Sequence, residues 1–291
     1  MPTRLLPLLL APFVLLLAAC GSTAEPALWR IDKEGAGADA APAGYLFGTI
    51  HALPRGTDWH GETLDAALAD AGVLMVEIKN LDKGDAQRIF QELALDASLP
   101  PIDERVSPMY RDELDEVMDR AGADPENFHF VETWATALTL STMLQARSSM
   151  DPDNSVDQSL IADWQGRPII GLETAEEQFR IFDQLSGNEQ QALLESMVRQ
   201  ADEMEPDALA KAWSAGDADA MSGLMELGFE SNTGLRAAIL GRRNQRWVGP
   251  ILNQVQSGKK PFVAVGAGHM GGDDGLIALL AARGYKATRI Q

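Results

Sequence analysis

Apolar positions change their spacing along the chain, and each spacing predicts a type of element. Leu28-Trp29-Arg30-Ile31-Asp32 alternates with the period of a strand, and Tyr45 to Leu53 resumes extended structure after a Gly/Ala-rich loop over 35–44. Leu64, Ala67, Leu68 and Ala71 recur at helical spacing within 58–71. Val73-Leu74-Met75-Val76-Glu77-Ile78 is a continuous apolar run with one acid in it, the pattern of a strand buried on both faces. A long helical middle is expected from about Gly84 to Arg147, broken at Pro100-Pro101, Pro108 and Pro125. Pro168 to Leu172 reads as a short strand, and Thr174-Ala175-Glu176-Glu177 as a capping box opening a helix. Helical patterns follow at 189–204, 206–215, 217–227 and 233–256. Strand 261–265, a Gly-rich turn, helix 275–282 and strand 285–290 close the chain. The fold class predicted is α/β (α+β): a central mixed sheet built from strands near both ends of the chain, with a large helical insertion between them.

One apolar run lies outside this scheme. Arg4 precedes an apolar stretch over 5–17, closed by small residues up to Cys20, which is the order of an export signal and shorter than a membrane-spanning helix. Leu17-Ala18-Ala19-Cys20 resembles the lipobox of bacterial lipoproteins, and the single cysteine of the chain falls at the position that motif requires. That resemblance implies a signal peptide over 1–19, a lipidated tether over 20–26 starting at Cys20, and one domain over 27–291. It also implies anchoring in the bacterial cell envelope, with Ser22 favouring the outer membrane facing the periplasm. Loss of 1–19 removes Arg4 and takes the formal charge from -19 to -20.

The composition limits the chemistry. One cysteine excludes an intrachain disulfide, iron-sulfur clusters and zinc sites built on several thiolates, so any metal must be held by histidine and carboxylate. With Lys+Arg 24 against Asp+Glu 43, the chain lacks the electrostatic footprint of a nucleic-acid binder. His-Glu-x-x-His, Gly-x-Ser-x-Gly and phosphate-loop motifs are absent. Gly266 to Gly271 matches Gly-x-Gly-x-x-Gly, but the chain ends before the acid and the continuing βαβ unit that a dinucleotide fold requires.

What remains is a pair of Gly-x-x-His segments, Gly48 to His51 and Gly266 to His269, each at the end of a predicted strand, where α/β folds open their ligand crevices. Imidazole serves as metal ligand or general base, and a nearby glycine permits close approach. Glu77 is the third candidate, because a carboxylate in an apolar strand requires a cation, a metal or hydrogen-bond donors. Arg243 and Asn244, on the helix predicted over 233–256, are candidate donors, and a purely structural Glu77–Arg243 pair is the competing reading. Glu173, Asp273 and Asp274 read as acids at helix starts, and His60 and His129 as surface residues.

These residues resemble the TraB/GumN family, which includes the Tiki metalloproteases. The likeness comprises YLFGTIHAL over 45–53, Val76-Glu77, Val156-Asp157 with Leu160, GRPIIGLET over 166–174, Arg243-Asn244 with Trp247, and the segment 262–285. It implies a Tiki/erythromycin-esterase-like fold in which His51, His269 and Glu77 converge with Arg243 and Asn244 as supports. It further implies a divalent-metal-dependent peptidase, with manganese or cobalt favoured, acting on a peptide or protein. Arg242 and Ser155 depart from the family pattern without touching the His/Glu set.

Three hypotheses follow. In the first, His51, His269 and Glu77 hold a divalent metal such as Mn, Co or Zn, Glu77 ligates it or takes a proton from its water, and Arg243 or Asn244 stabilises the oxyanion. In the second, hydrolysis is metal-independent, with a histidine base oriented by Glu77. In the third, the protein binds an envelope ligand without turnover.

Overall fold

The first and last strands of the described residues meet in one sheet. In the computed structural model, residues 24–37, 39–79, 83–151, 154–164, 166–205, 207–229 and 232–291 are described. The expected signal peptide and Cys20 lie outside them. The strands are β1 (Leu28–Lys33), β2 (Gly44–Thr49), β3 (Leu53–Pro54), β4 (Val73–Val76), β5 (Met150–Asp151), β6 (Ile169–Gly171), β7 (Pro261–Gly266) and β8 (Tyr285–Arg289). Six of them form a mixed sheet in the order β6-β4-β7-β2-β1-β8, while β3 and β5 pair separately. β6, β4, β7 and β2 are mutually parallel, and β1 runs antiparallel between β2 and β8.

The patterning explains the burial. Alternate residues of one strand face opposite sides of a sheet. Tyr45, Phe47, Leu74, Val76, Phe262 and Ala264 pack into the core on one side, and Leu46, Met75, Val263 and Val265 into the core on the other. Both sides of the parallel strands are thus apolar, which is why Val73–Val76 lacks alternation. β8, at the edge, has no fully buried residue and carries Lys286 and Arg289, charges that discourage further strand pairing.

The helices are α1 (Glu62–Asp70), α2 (Lys83–Leu93), α3 (Arg111–Ala121), α4 (Thr133–Arg147), α5 (Val156–Asp163), α6 (Ala175–Asp183), α7 (Gly187–Glu203), α8 (Ala208–Ser214), α9 (Ala218–Leu227), α10 (Thr233–Arg236), α11 (Arg242–Gln256) and α12 (Leu276–Ala281). α3, α4 and α7 form the centre of the helical insertion around Leu114, Val117, Leu140, Leu194 and Val198. The proline breaks are observed as single 3-10 turns at 102–104, 108–110 and 125–128. The expected helix over 233–256 is divided by a π-helical stretch, Ala237–Gly241, immediately before Arg243. Among the described residues no helix is long and apolar enough to cross a membrane.

Candidate functional site

Four parallel strands end side by side, and each delivers a titratable residue just past its last position. In spatial order these are Glu173 after β6, Glu77 after β4, His269 after β7 and His51 after β2. The register pairs Thr49 with Gly266, so the two Gly-x-x-His segments, far apart in sequence, leave the sheet as neighbours. Strand β2 ends at Thr49 rather than at the expected Leu53, and His51 stands in the bend that follows.

The glycines of both motifs have packing reasons. A Cβ on Gly48 would lie 3.1 Å from Cα and Cβ of Ala267, so the glycine lets one segment lie against the other. At Gly266 a Cβ would come 3.1 Å from Glu77 Oε1, the oxygen to which the Gly266 N–H donates at 2.8 Å. The approaching group in each case is the protein's own.

Arg243 is the hub. It is 4% exposed, and its guanidinium lies among Glu77, Glu173 and His269. Nη2 donates to Glu77 Oε2 at 2.5 Å and to Glu173, Nε to Glu173 at 3.2 Å, and Nη1 to the Ile239 carbonyl and His269 Nε2, both at 3.1 Å. A guanidinium has five N–H donors, and these contacts use all five. Arg243 therefore has none left for an oxyanion, which corrects the role expected for it. Asn244 is equally committed: Nδ2 donates to the Asp274 and His269 carbonyls, and Oδ1 lies 2.7 Å from His269 Nδ1. Both side chains are spent on holding their neighbours.

The same geometry assigns the proton of His269. Arginine only donates, so Nε2 accepts, and Nδ1–H donates to Asn244 Oδ1. Burial lowers the His269 pKa to about 3 against the attraction of Glu77, keeping the ring neutral. Its ring lies tilted against Trp247 with centroids 4.5 Å apart, and the same indole carries the Arg243 guanidinium. Burial alone would raise Glu77, but His269, Arg243, His51 and the Gly266 N–H outweigh it and hold Glu77 at about 2. Glu173 is shifted upward, because its burial outweighs Arg243.

His51 sits differently. Its side chain is 72% exposed, and Nδ1 lies 3.2 Å from Asp157 Oδ2, whose partner oxygen accepts from Thr49 Oγ1 at 2.7 Å. The Asp157 hydrogen bond outweighs desolvation and, with the charge of Glu77, raises the His51 pKa above its ordinary 6.5.

No group of three or more His, Cys, Asp or Glu side chains with metal-ligand spacing is present among the described residues. Between Glu77 and His269 the position of a cation belongs to Arg243, which binds the carboxylate and the Nε2 lone pair that a metal would need. As arranged, His51, His269 and Glu77 do not fit a divalent ion.

Sequence reasoning missed three contributors. Glu173 is not a helix-start acid but a buried partner of Arg243. Gln178, on α6, donates to Glu77 Oε2 at 3.1 Å. Asp157 orients His51 from 106 residues away. The Thr174/Glu177 capping box is present as expected, and by fixing the start of α6 it sets the position of Gln178.

Fold and site together define an α/β protein with a charged cluster and an exposed His–Asp pair at the carboxyl ends of parallel strands. The TraB/PrgY/gumN family model matches residues 27–289, and the chain belongs to that family. No curated protein and no solved structure matches the chain significantly.

Proposed function

We propose that the protein is a hydrolase of peptides or proteins in which His51, oriented by Asp157, is the general base and no metal takes part in the reaction. The observation that carries this reading is the His51–Asp157 hydrogen bond on an exposed ring, beside a Glu77–Arg243–His269 cluster whose donors are spent. With Nδ1–H donating to Asp157, His51 Nε2 is left to take a proton from water, and the water oxygen attacks the substrate carbonyl. Asp157 and the buried charge of Glu77 then stabilise the imidazolium that forms. His51 returns the proton to the leaving group, and Arg243 and Asn244 hold Glu77 and His269 in place. The chain is also proposed to be a lipoprotein of the bacterial envelope, anchored through Cys20 and facing the periplasm. Incorporation of an alkyne fatty acid into the expressed protein, abolished in Cys20→Ser, is the expected result for that anchor.

The reaction is tested with a set of quenched fluorogenic peptides. Activity is expected to survive exhaustive chelation. Loss on chelation with recovery in manganese would replace this mechanism with the metal-dependent one. In Asp157→Asn the pKa of His51 moves down towards 6.5, because the carboxylate that favours the imidazolium is gone. The inflection at which kcat/KM rises with pH is therefore expected at lower pH in this variant, with a maximum reduced about ten-fold or more. An unshifted inflection would remove Asp157 from the mechanism.

A further inference from the structure

A large concavity lies away from the strand ends, in the helical insertion. It is a groove of about 590 Å³ between α4, α7 and α9, walled by Phe182, Leu193, Met197, Phe229 and Ile239. These five side chains are all half-buried, apolar groups, four on helices and Phe229 in the turn after α9, that nothing in the fold covers fully.

We propose that this groove is a binding site for a long-chain anionic amphiphile, with the chain along the apolar wall and the acid group at the rim formed by Arg120 and Arg147. Two observations carry the assignment. First, the buried polar groups of the floor are committed to one another: Ser196 Oγ donates to the Gly228 carbonyl at 2.6 Å, and Gln200 Nε2 donates to Ser196 Oγ at 3.2 Å. Over this floor a peptide backbone would find few partners for its N–H and C=O groups, with Ser141 and Gln145 of the wall as the polar side chains nearby, whereas a hydrocarbon chain needs none.

Second, charge is confined to one end. Arg120 Nη1 donates to the Ala201 carbonyl at 2.9 Å and Arg147 Nε to the Ala121 carbonyl at 2.7 Å. These bonds place both guanidinium groups where α3, α4 and α7 end. Neither pairs with a carboxylate among the described residues, and each keeps further N–H donors for an acid group. Glu205 lines the same end, so the rim carries two positive charges against one negative in a protein of charge -19. The flexible Met197, Met204 and Met225 side chains suit a ligand of variable chain length. This assignment does not depend on the hydrolase reading.

The test is displacement of fluorescent 11-(dansylamino)undecanoic acid from the full-length protein by laurate, by 1-dodecanol and by an uncharged apolar heptapeptide. Saturable binding is expected, with laurate displacing roughly ten-fold or more better than the alcohol, as a charge-assisted contact provides. Arg120→Ala combined with Arg147→Ala is expected to erase that preference. Ser141→Trp, an exposed position on the groove wall, is expected to block laurate and alcohol alike while leaving the melting temperature unchanged. Absence of saturable binding, binding insensitive to Ser141→Trp, or a laurate preference that persists without the two arginines would overturn the proposal. Displacement by the heptapeptide at lower concentration than laurate would also overturn it, and would assign the groove to peptides.

Discussion

Replacing Arg243 by methionine is expected to lower the unfolding free energy at pH 7 by about 3–5 kcal/mol, the cost of leaving a buried charge without its partner. The guanidinium bridges Glu77, 7% exposed, and Glu173, 8% exposed, with one positive charge shared between them, and supplies a donor to His269. Methionine preserves much of the volume and supplies neither charge nor donors. In the native protein Glu77 is held at about 2, below its ordinary 4.5. A depressed carboxylate contributes stability that is fully present above its unfolded value and is lost as pH falls from about 4.5 through about 2. Without Arg243, burial dominates and raises both carboxylates, so the variant gains stability as they protonate in acid. The deficit is therefore expected to be largest near neutrality and to shrink as pH falls towards 4. Urea unfolding at pH 7 and pH 4.5 measures both, and Glu77→Gln added to Arg243→Met is expected to restore part of the loss. A deficit below about 1 kcal/mol, or one independent of pH, would show that the cluster is solvated and contributes little.

That prediction rests on contacts of which the sequence revealed one half. The apolar runs at 45–49, 73–76 and 261–265 identified the central strands, because a strand buried on both faces requires side chains that few other elements combine. The placement of His51 and His269 after strands, and of Glu77 inside an apolar run, was legible for the same reason. Glu173 was not, because an acid before a capping threonine has a local explanation that hides its distant one. Its partner lies 70 residues later, and nothing near Glu173 marks it. The saturation of Arg243 was likewise invisible, since only three-dimensional placement shows that all five donors are taken. The expected metal set followed from residue types, and residue types do not reveal that a guanidinium lies where the ion would be.

The lone Gly-x-x-His histidine that keeps its exposure carries the second large effect. His51→Ala is expected to lower kcat on the order of 10²–10⁴-fold, the range for loss of a general base. The fold is expected to survive, because the side chain is 72% exposed and, among the described residues, its side-chain bonds are confined to Asp157. Exposed positions of this kind change stability by about 0.5 kcal/mol or less. The contrast with Arg243→Met separates the two halves of the site: one variant loses rate with stability retained, the other loses stability first. Imidazole added to His51→Ala is expected to restore part of the rate, with a pH dependence that follows free imidazole rather than the raised value of the native ring. Full activity in His51→Ala would remove it as the base. A rate loss accompanied by an equal fall in melting temperature would make His51 a structural residue and return the search for the base to the neutral, buried His269.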